Sequence, residues 1–292
     1  MYTEEFSGFM GSGDDYEGAR AVILGAPMDQ TVSFRSGARN GPRSIRGVSE
    51  VLEEYSARLD RDLAEFMYTD LGDILIIPGK VEENLERIEK TVGKVLRDGK
   101  LTVMLGGEHL VTLPAVRCAA SLFPGLAVIH FDAHADLREQ YLGVGLSHAT
   151  VMRRVVEIVG GENLFQFGIR SGTREEFAYA RSFVNFFPEV INMEDIVRVA
   201  GRLKGKPVYI TLDIDVLDPA YAPGTGTPEP GGCTPAQLFS ALEACSDLNV
   251  IGFDLVEVCP AYDQTDRTAI LAAKIVREAI LLFGDRYKKI KP

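Results

Sequence analysis

Apolar residues along the chain follow two rhythms. Short runs such as Ala21-Val22-Ile23-Leu24, Leu101-Thr102-Val103-Met104-Leu105, Ala127-Val128-Ile129 and Pro207-Val208-Tyr209-Ile210-Thr211-Leu212 have the length of buried strands, and Gly, Pro or charged residues close each of them. Asn163 to Ile169 and Val250 to Val258 read the same way. Between the runs, apolar positions recur at helical spacing. Ile45, Val48, Leu52 and Tyr55 follow Pro42, and Leu85, Ile88, Val92 and Val95 lie within Glu82 to Arg97, with Gly99 as the stop. Further helices are expected after Pro114 and His148, around Glu175 to Arg181, over Glu194 to Leu203, after Thr234-Pro235, and over Ala269 to Phe283. Strand alternating with helix predicts an α/β fold with right-handed crossovers and a parallel sheet covered on both faces. We expect one domain over residues 1–292, with 1–18 a loosely structured start.

Composition adds mainly exclusions. A formal net charge of −11 and a pI near 5.0, with no basic run apart from Lys288-Lys289, argue against nucleic acid or an anionic membrane as partner. A small cationic substrate would not be repelled. The longest stretch free of Asp, Glu, Lys and Arg, Cys118 to Phe131, is broken by Pro124-Gly125, so no membrane span is expected. Cys118, Cys233, Cys245 and Cys259 show no C-x-x-C spacing, and the start lacks the form of a signal peptide, so free thiols and a cytoplasmic location are expected.

The chemistry gathers where strands end. Phe131-Asp132-Ala133-His134-Ala135-Asp136 carries three metal-ligand side chains two residues apart, and in extended chain such residues point the same way. Asp213-Ile214-Asp215 ends a second run, and Gly106-Gly107-Glu108-His109 a third. If these strands are neighbours, His109, Asp132, His134, Asp136, Asp213 and Asp215 converge at the carboxyl edge of the sheet, where open α/β sheets bind ligands. Six donors exceed one closed tetrahedral zinc site and suit two ions sharing carboxylates. Oxygen-rich ligation with two imidazoles and no thiolate favours manganese.

Other candidates are weighed individually. His130 shares the phase of Asp132 but lies roughly 6.6 Å deeper in the strand, so it reads as a buried, hydrogen-bonded core histidine. His148, after a Gly-containing loop, stands at the rim as a candidate proton carrier. In the last strand Asp254 is assigned to structure, while Glu257, nearer the carboxyl end, is the candidate for binding a cation. The loop from Ser33 to Gly41, rich in Gly and Arg, matches no phosphate-cradling motif. The Pro- and Gly-rich stretch from Leu217 to Pro228 is expected to shape a pocket wall.

Three segments, Leu105-Gly106-Gly107-Glu108-His109, Phe131-Asp132-Ala133-His134-Ala135-Asp136 and Thr211-Leu212-Asp213-Ile214-Asp215, make the chain resemble the ureohydrolase family of arginases and agmatinases, most of all the bacterial agmatinases. The resemblance implies a three-layer α/β/α sandwich around a parallel eight-stranded sheet, assembled as a homo-oligomer, trimer or hexamer. It implies two Mn²⁺ per subunit, one on His109, Asp132, Asp136 and Asp213, the other on Asp132, His134, Asp213 and Asp215. It also points to His148 as proton shuttle and to Glu257 with Thr227 as contacts of the substrate guanidinium. Asp136 would accept a proton as water attacks.

The activity so implied is hydrolysis of a guanidino compound, agmatine giving putrescine and urea. Arginine is disfavoured because Ser171-Gly172-Thr173 has no acid where arginases hold the α-ammonium. Guanidinobutyrate would be favoured if Arg138 faced the pocket; we expect it to point away, paired with Glu139. A non-catalytic relative would have lost ligands, and none of the six is missing. A phosphatase-type dinuclear hydrolase fits poorly with so acidic a site.

Overall fold

The computed structural model describes residues 8–285; Lys288-Lys289 and the first residues of the expected loose start lie outside them. Eight parallel strands form one sheet in the order β4-β1-β5-β10-β9-β6-β7-β8, with β1 Ala21–Ala26, β4 Tyr68–Asp73, β5 Leu101–Gly106, β6 Ala127–Phe131, β7 Leu164–Ile169, β8 Asn185–Pro188, β9 Pro207–Asp213 and β10 Asn249–Val256. A two-residue hairpin, β2 Tyr55–Ser56 with β3 Arg61–Asp62, stands apart.

Side-chain alternation along the strands feeds two cores. Val22, Leu24, Met104, Val128 and Tyr209 pack against α2 Val81–Arg97, α3 Thr112–Leu122, α4 Val151–Val159 and α5 Arg174–Phe183. Ile23, Val103, Leu105, Ile129, Ile210 and Phe253 face the opposite way, toward α1 Gly41–Ser49, α6 Met193–Leu203, α7 Pro235–Ala244 and α8 Arg267–Phe283. The result is a three-layer α/β/α fold. Among the described residues, no helix is long and apolar enough to cross a membrane.

Several expectations need correction. Helix α1 stops at Ser49, and Tyr55 belongs to the hairpin, so the helical spacing beyond Val48 is coincidental. The start is ordered from residue 8 on: Phe9 is fully buried, its N–H donates to Asp70 at 2.9 Å, and Met10 N–H donates to Ser49 Oγ at 2.8 Å. Strands β4 and β8 fall outside the apolar pattern: both are edge strands, β4 of mixed polarity and β8 only four residues long and ending in Pro188. The ligand-bearing strands are not all adjacent either. Strand β10 lies between β5 and β9, which brings Glu257 into the middle of the site.

Candidate metal centre

The three metal-ligand segments meet at the carboxyl ends of β5, β9 and β6, though not as a pleated comb. Strand β6 ends at Phe131, His134 is fixed by a bridge to Ser171, and Asp136 turns into left-handed backbone at φ 51°. The convergence of Asp132, His134 and Asp136 is therefore the work of a shaped loop. Glu257 likewise lies just past β10 with φ 64°. Left-handed backbone costs a non-glycine residue energy, and it occurs here at two residues of the site. Gly107 is required by close approach, since a Cβ there would lie 1.9 Å from the Met28 carbonyl oxygen.

Two groups of ligand atoms share Asp132. On one side, His109 Nδ1 lies 3.1 Å from Asp132 Oδ2, 3.3 Å from Asp136 Oδ2 and 3.4 Å from Asp213 Oδ2. On the other, His134 Nδ1 lies 2.9 Å from Asp215 Oδ2 and 3.6 Å from Asp132 Oδ1. Asp213 and Asp215 each use Oδ1 to accept a backbone N–H, from Asp215 at 2.8 Å and Ala133 at 3.0 Å, which leaves Oδ2 turned to the cluster. Both His109 Nδ1 and Asp215 Oδ2 are buried without a hydrogen-bond partner. Buried polar atoms are rarely left so, and an orphaned atom in each of the two groups, one on either side of Asp132, suits a cation in each.

The electrostatics agree. Burial works against charge on His109, yet Asp132, Asp136 and Asp213 outweigh it and hold the imidazole well above its ordinary range. His134 is raised in the same way against burial by Asp215 and Asp132. Burial, then the Asp132 charge, lifts Asp136 to about 7, and burial with neighbouring acids lifts Glu257 to about 8. Asp213 is pushed well up by burial and by Asp215 and Asp132. So concentrated a set of carboxylates favours positive charge, as protons or as metal ions.

Above the cluster opens a cavity of about 280 Å³ whose wall includes Asp136, His148, Thr227, Glu257, Arg138 and Glu176. Glu257 accepts the His109 N–H through Oε1 at 2.8 Å. His148 shares a 3.1 Å hydrogen bond between its Nε2 and Ser33 Oγ, and burial pulls it down to about 4. The loop bearing Ser33 is anchored by Glu108, whose carboxylate accepts Thr31 N–H and Thr31 O–H, both at 2.7 Å; Thr31 Oγ1 in turn accepts the His148 N–H at 3.0 Å.

Arg138 does not point away. It lines the cavity 5.2 Å over the Tyr141 ring, and its partner is Glu176 at 3.4 Å rather than Glu139. Ser171, Gly172 and Thr173 also reach the wall and carry no acid, but Glu176, one helical turn on, supplies one. The only trace of Glu176 in sequence is the capping box Thr173-x-x-Glu176. His130 is buried and hydrogen-bonded as expected, but it is not remote: its Nε2 lies 2.8 Å from Asp132 Oδ2.

The sequence matches the arginase family over residues 19–282. The chain belongs to that family. It is an agmatinase-type ureohydrolase by likeness to the bacterial agmatinases; that of Halalkalibacterium halodurans is 49% identical across 96% of this chain and 98% of that protein. The human mitochondrial guanidino acid hydrolase is 38% identical over 90% of this chain and 78% of its own length. A solved structure from Clostridium difficile superposes with a TM-score of 0.89 at 42% identity, covering 94% of this chain and all of that one (100%).

Proposed function

We propose that the chain, acting as one ureohydrolase domain over residues 1–292, hydrolyses agmatine to putrescine and urea with two Mn²⁺. The observation that carries the metal reading is Asp132, whose two oxygens face the two imidazoles His109 and His134. His109, Asp132, Asp136 and Asp213 would hold one ion, and Asp132, His134 and Asp215 the other, with Asp213 as a second bridge. Bound ions would supply deprotonated water at neutral pH. A homo-oligomer, trimer or hexamer, and a cytoplasmic location are inferred from likeness to the family and from four free, buried cysteines.

In the reaction water oxygen bonds to the guanidinium carbon, and the bond from that carbon to the alkyl nitrogen breaks. Urea and the amine leave. Glu257, held by the His109 N–H, would hold the guanidinium with Thr227 beside it. Asp136 would take a proton from the attacking water. His148 would carry a proton to the departing amine nitrogen, with Ser33 Oγ fixing its ring.

Agmatine also carries an ammonium at its far end. Apart from the metal-ligand acids and Glu257, the carboxylate in the cavity wall is Glu176, fixed by the N–H groups of Leu137 at 3.1 Å and Thr173 at 2.8 Å. We assign it to that ammonium. Arg138 favours a second reading, a guanidino acid whose carboxylate would meet the guanidinium of this residue. Urea release from agmatine, guanidinobutyrate and arginine tests both. We expect kcat/KM for agmatine at least about tenfold above the others, near 1.4 kcal/mol in transition-state binding. A guanidinobutyrate preference that vanishes in Arg138→Gln would replace the first reading with the second.

A further inference from the structure

Beneath the metal centre, four fully buried polar residues lie side by side across four neighbouring strands. Gln166 of β7 is in register with His130 of β6, His130 with Thr211 of β9, and Thr211 with Asp254 of β10. The adjacent positions along these strands are apolar, as burial on both faces demands. Polar groups in such a place cost free energy unless every one is hydrogen-bonded, so a whole row of them needs a reason.

The direction of the hydrogen bonds supplies one. Asp254 accepts three hydroxyl protons, from Thr211 at 2.6 Å, Tyr209 at 2.8 Å and Thr112 at 3.0 Å. Because the Thr211 proton goes to Asp254, Thr211 Oγ1 is left to accept, and His109 Nε2 lies 2.9 Å from it. His109 Nε2–H is thereby held by Thr211, and Nδ1 is the nitrogen left facing Asp132, Asp136 and Asp213, the one whose proton a metal would displace.

The other end of the row works in the same sense. Gln166 Nε2, oriented by the Ala135 carbonyl at 2.8 Å, donates to His130 Nδ1 at 3.0 Å. His130 Nε2–H must then donate to Asp132 Oδ2, at 2.8 Å. One row so grips two ligands, an imidazole and a carboxylate, from below.

We propose that Asp254 and Thr211 at one end of this row, and Gln166 and His130 at the other, are positioning residues that fix His109 and Asp132 for metal. The proposal rests on the metal reading above. It goes beyond that reading by giving a role to residues that touch neither substrate nor ion. Asp254 passes from a structural acid to the anchor of the His109 ring.

The test measures Mn²⁺ affinity by chelator competition, with metal counting, alongside the melting point of the metal-stripped chain. Thr211→Val keeps the shape and removes the link; loss of such outer partners commonly weakens metal binding about 10- to 100-fold. We expect that loss, confined to the ion on His109, with the metal-stripped melting point little changed. Thr211→Ser should restore binding. Tyr209→Phe takes a donor from Asp254 but breaks no link to a ligand, so its affinity should stay within about threefold of the unmutated chain. Should Thr211→Val fail to fold, Gln166→Met tests the other end, with a weakening of the same size that reaches both ions, because Asp132 is shared. Variants that lower the metal-stripped melting point yet bind Mn²⁺ as tightly as the unmutated chain would overturn the proposal and leave the row a packing feature. An unmutated chain that binds no Mn²⁺ would instead overturn the metal reading, which keeps the two failures distinct.

Discussion

Stripping the metal and raising the pH should weaken the fold, and Asp136 sets the scale. Burial and the Asp132 charge lift this carboxyl from 3.8 to about 7. A group whose folded value lies above its unfolded value stabilises the fold while protonated. Its contribution is complete below about pH 4 and is lost as the pH climbs through about 7. A rise of about three pH units at 1.36 kcal/mol each is worth about 4 kcal/mol. Glu257, lifted to about 8, acts in the same sense, but neighbouring carboxylates feel one another's charge, so one group's worth is the working figure. With an unfolding entropy of about 2.1 cal/mol/K per residue over the 292-residue chain, 4 kcal/mol corresponds to about 6 °C. The assay is thermal melting of the metal-stripped chain beside metal-stripped Asp136→Asn, from about pH 4 to about pH 8. The asparagine cannot ionise, so the melting point of the variant should gain on the unmutated chain by about 6 °C across that window. Saturating Mn²⁺ should cancel the pH dependence of the unmutated chain by binding only the folded form. A gap between the two metal-stripped proteins that stays constant with pH would refute the reasoning, because Asp136 would then hold no proton that folding protects.

Asp132→Asn should reduce the Mn²⁺ count from two toward none, whereas Asp215→Asn should cost only the ion beside His134; equal losses in the two variants would remove the shared role of Asp132. In His148→Asn, kcat should fall about 10²-fold with metal content unchanged, and an unaltered kcat would return His148 to a helix-start residue. Glu257→Gln should raise KM for agmatine while the metal content stays the same; loss of metal instead would mean that its hold on the His109 N–H matters more than its hold on substrate.

How much of this was legible in the sequence depends on how local each determinant is. Strands β1, β5, β6, β7, β9 and β10 are covered on both faces, so each is marked by a mostly apolar run readable in isolation. The edge strands β4 and β8 are not; β4 mixes polar and apolar residues, and β8 is too short and too soon ended by Pro188 to stand out. The six candidate metal ligands are readable because each lies at, or within five residues of, the end of such a run, where a few neighbouring residues mark the place. Their surroundings are not. Arg138 meets Glu176, and Thr31 meets Glu108, across the fold rather than along the chain. Strand phase correctly buries His130, but depth in the strand is not distance from the site, because a histidine ring reaches two residues forward to Asp132. Left-handed backbone at Asp136 and Glu257 is the most hidden of these features, because a non-glycine residue forced to positive φ leaves no letter that marks it. That is also why Asp132, His134 and Asp136 come together by a route other than the extended-chain alternation that their spacing suggests. Spacing by two names the residues that can meet; the turn at Asp136, held by its carbonyl accepting N–H from Met152 at 3.0 Å and Arg153 at 3.1 Å, decides how they do. The start of α4 thus pins the loop from the other side, and a change there would reach the ligands without touching them.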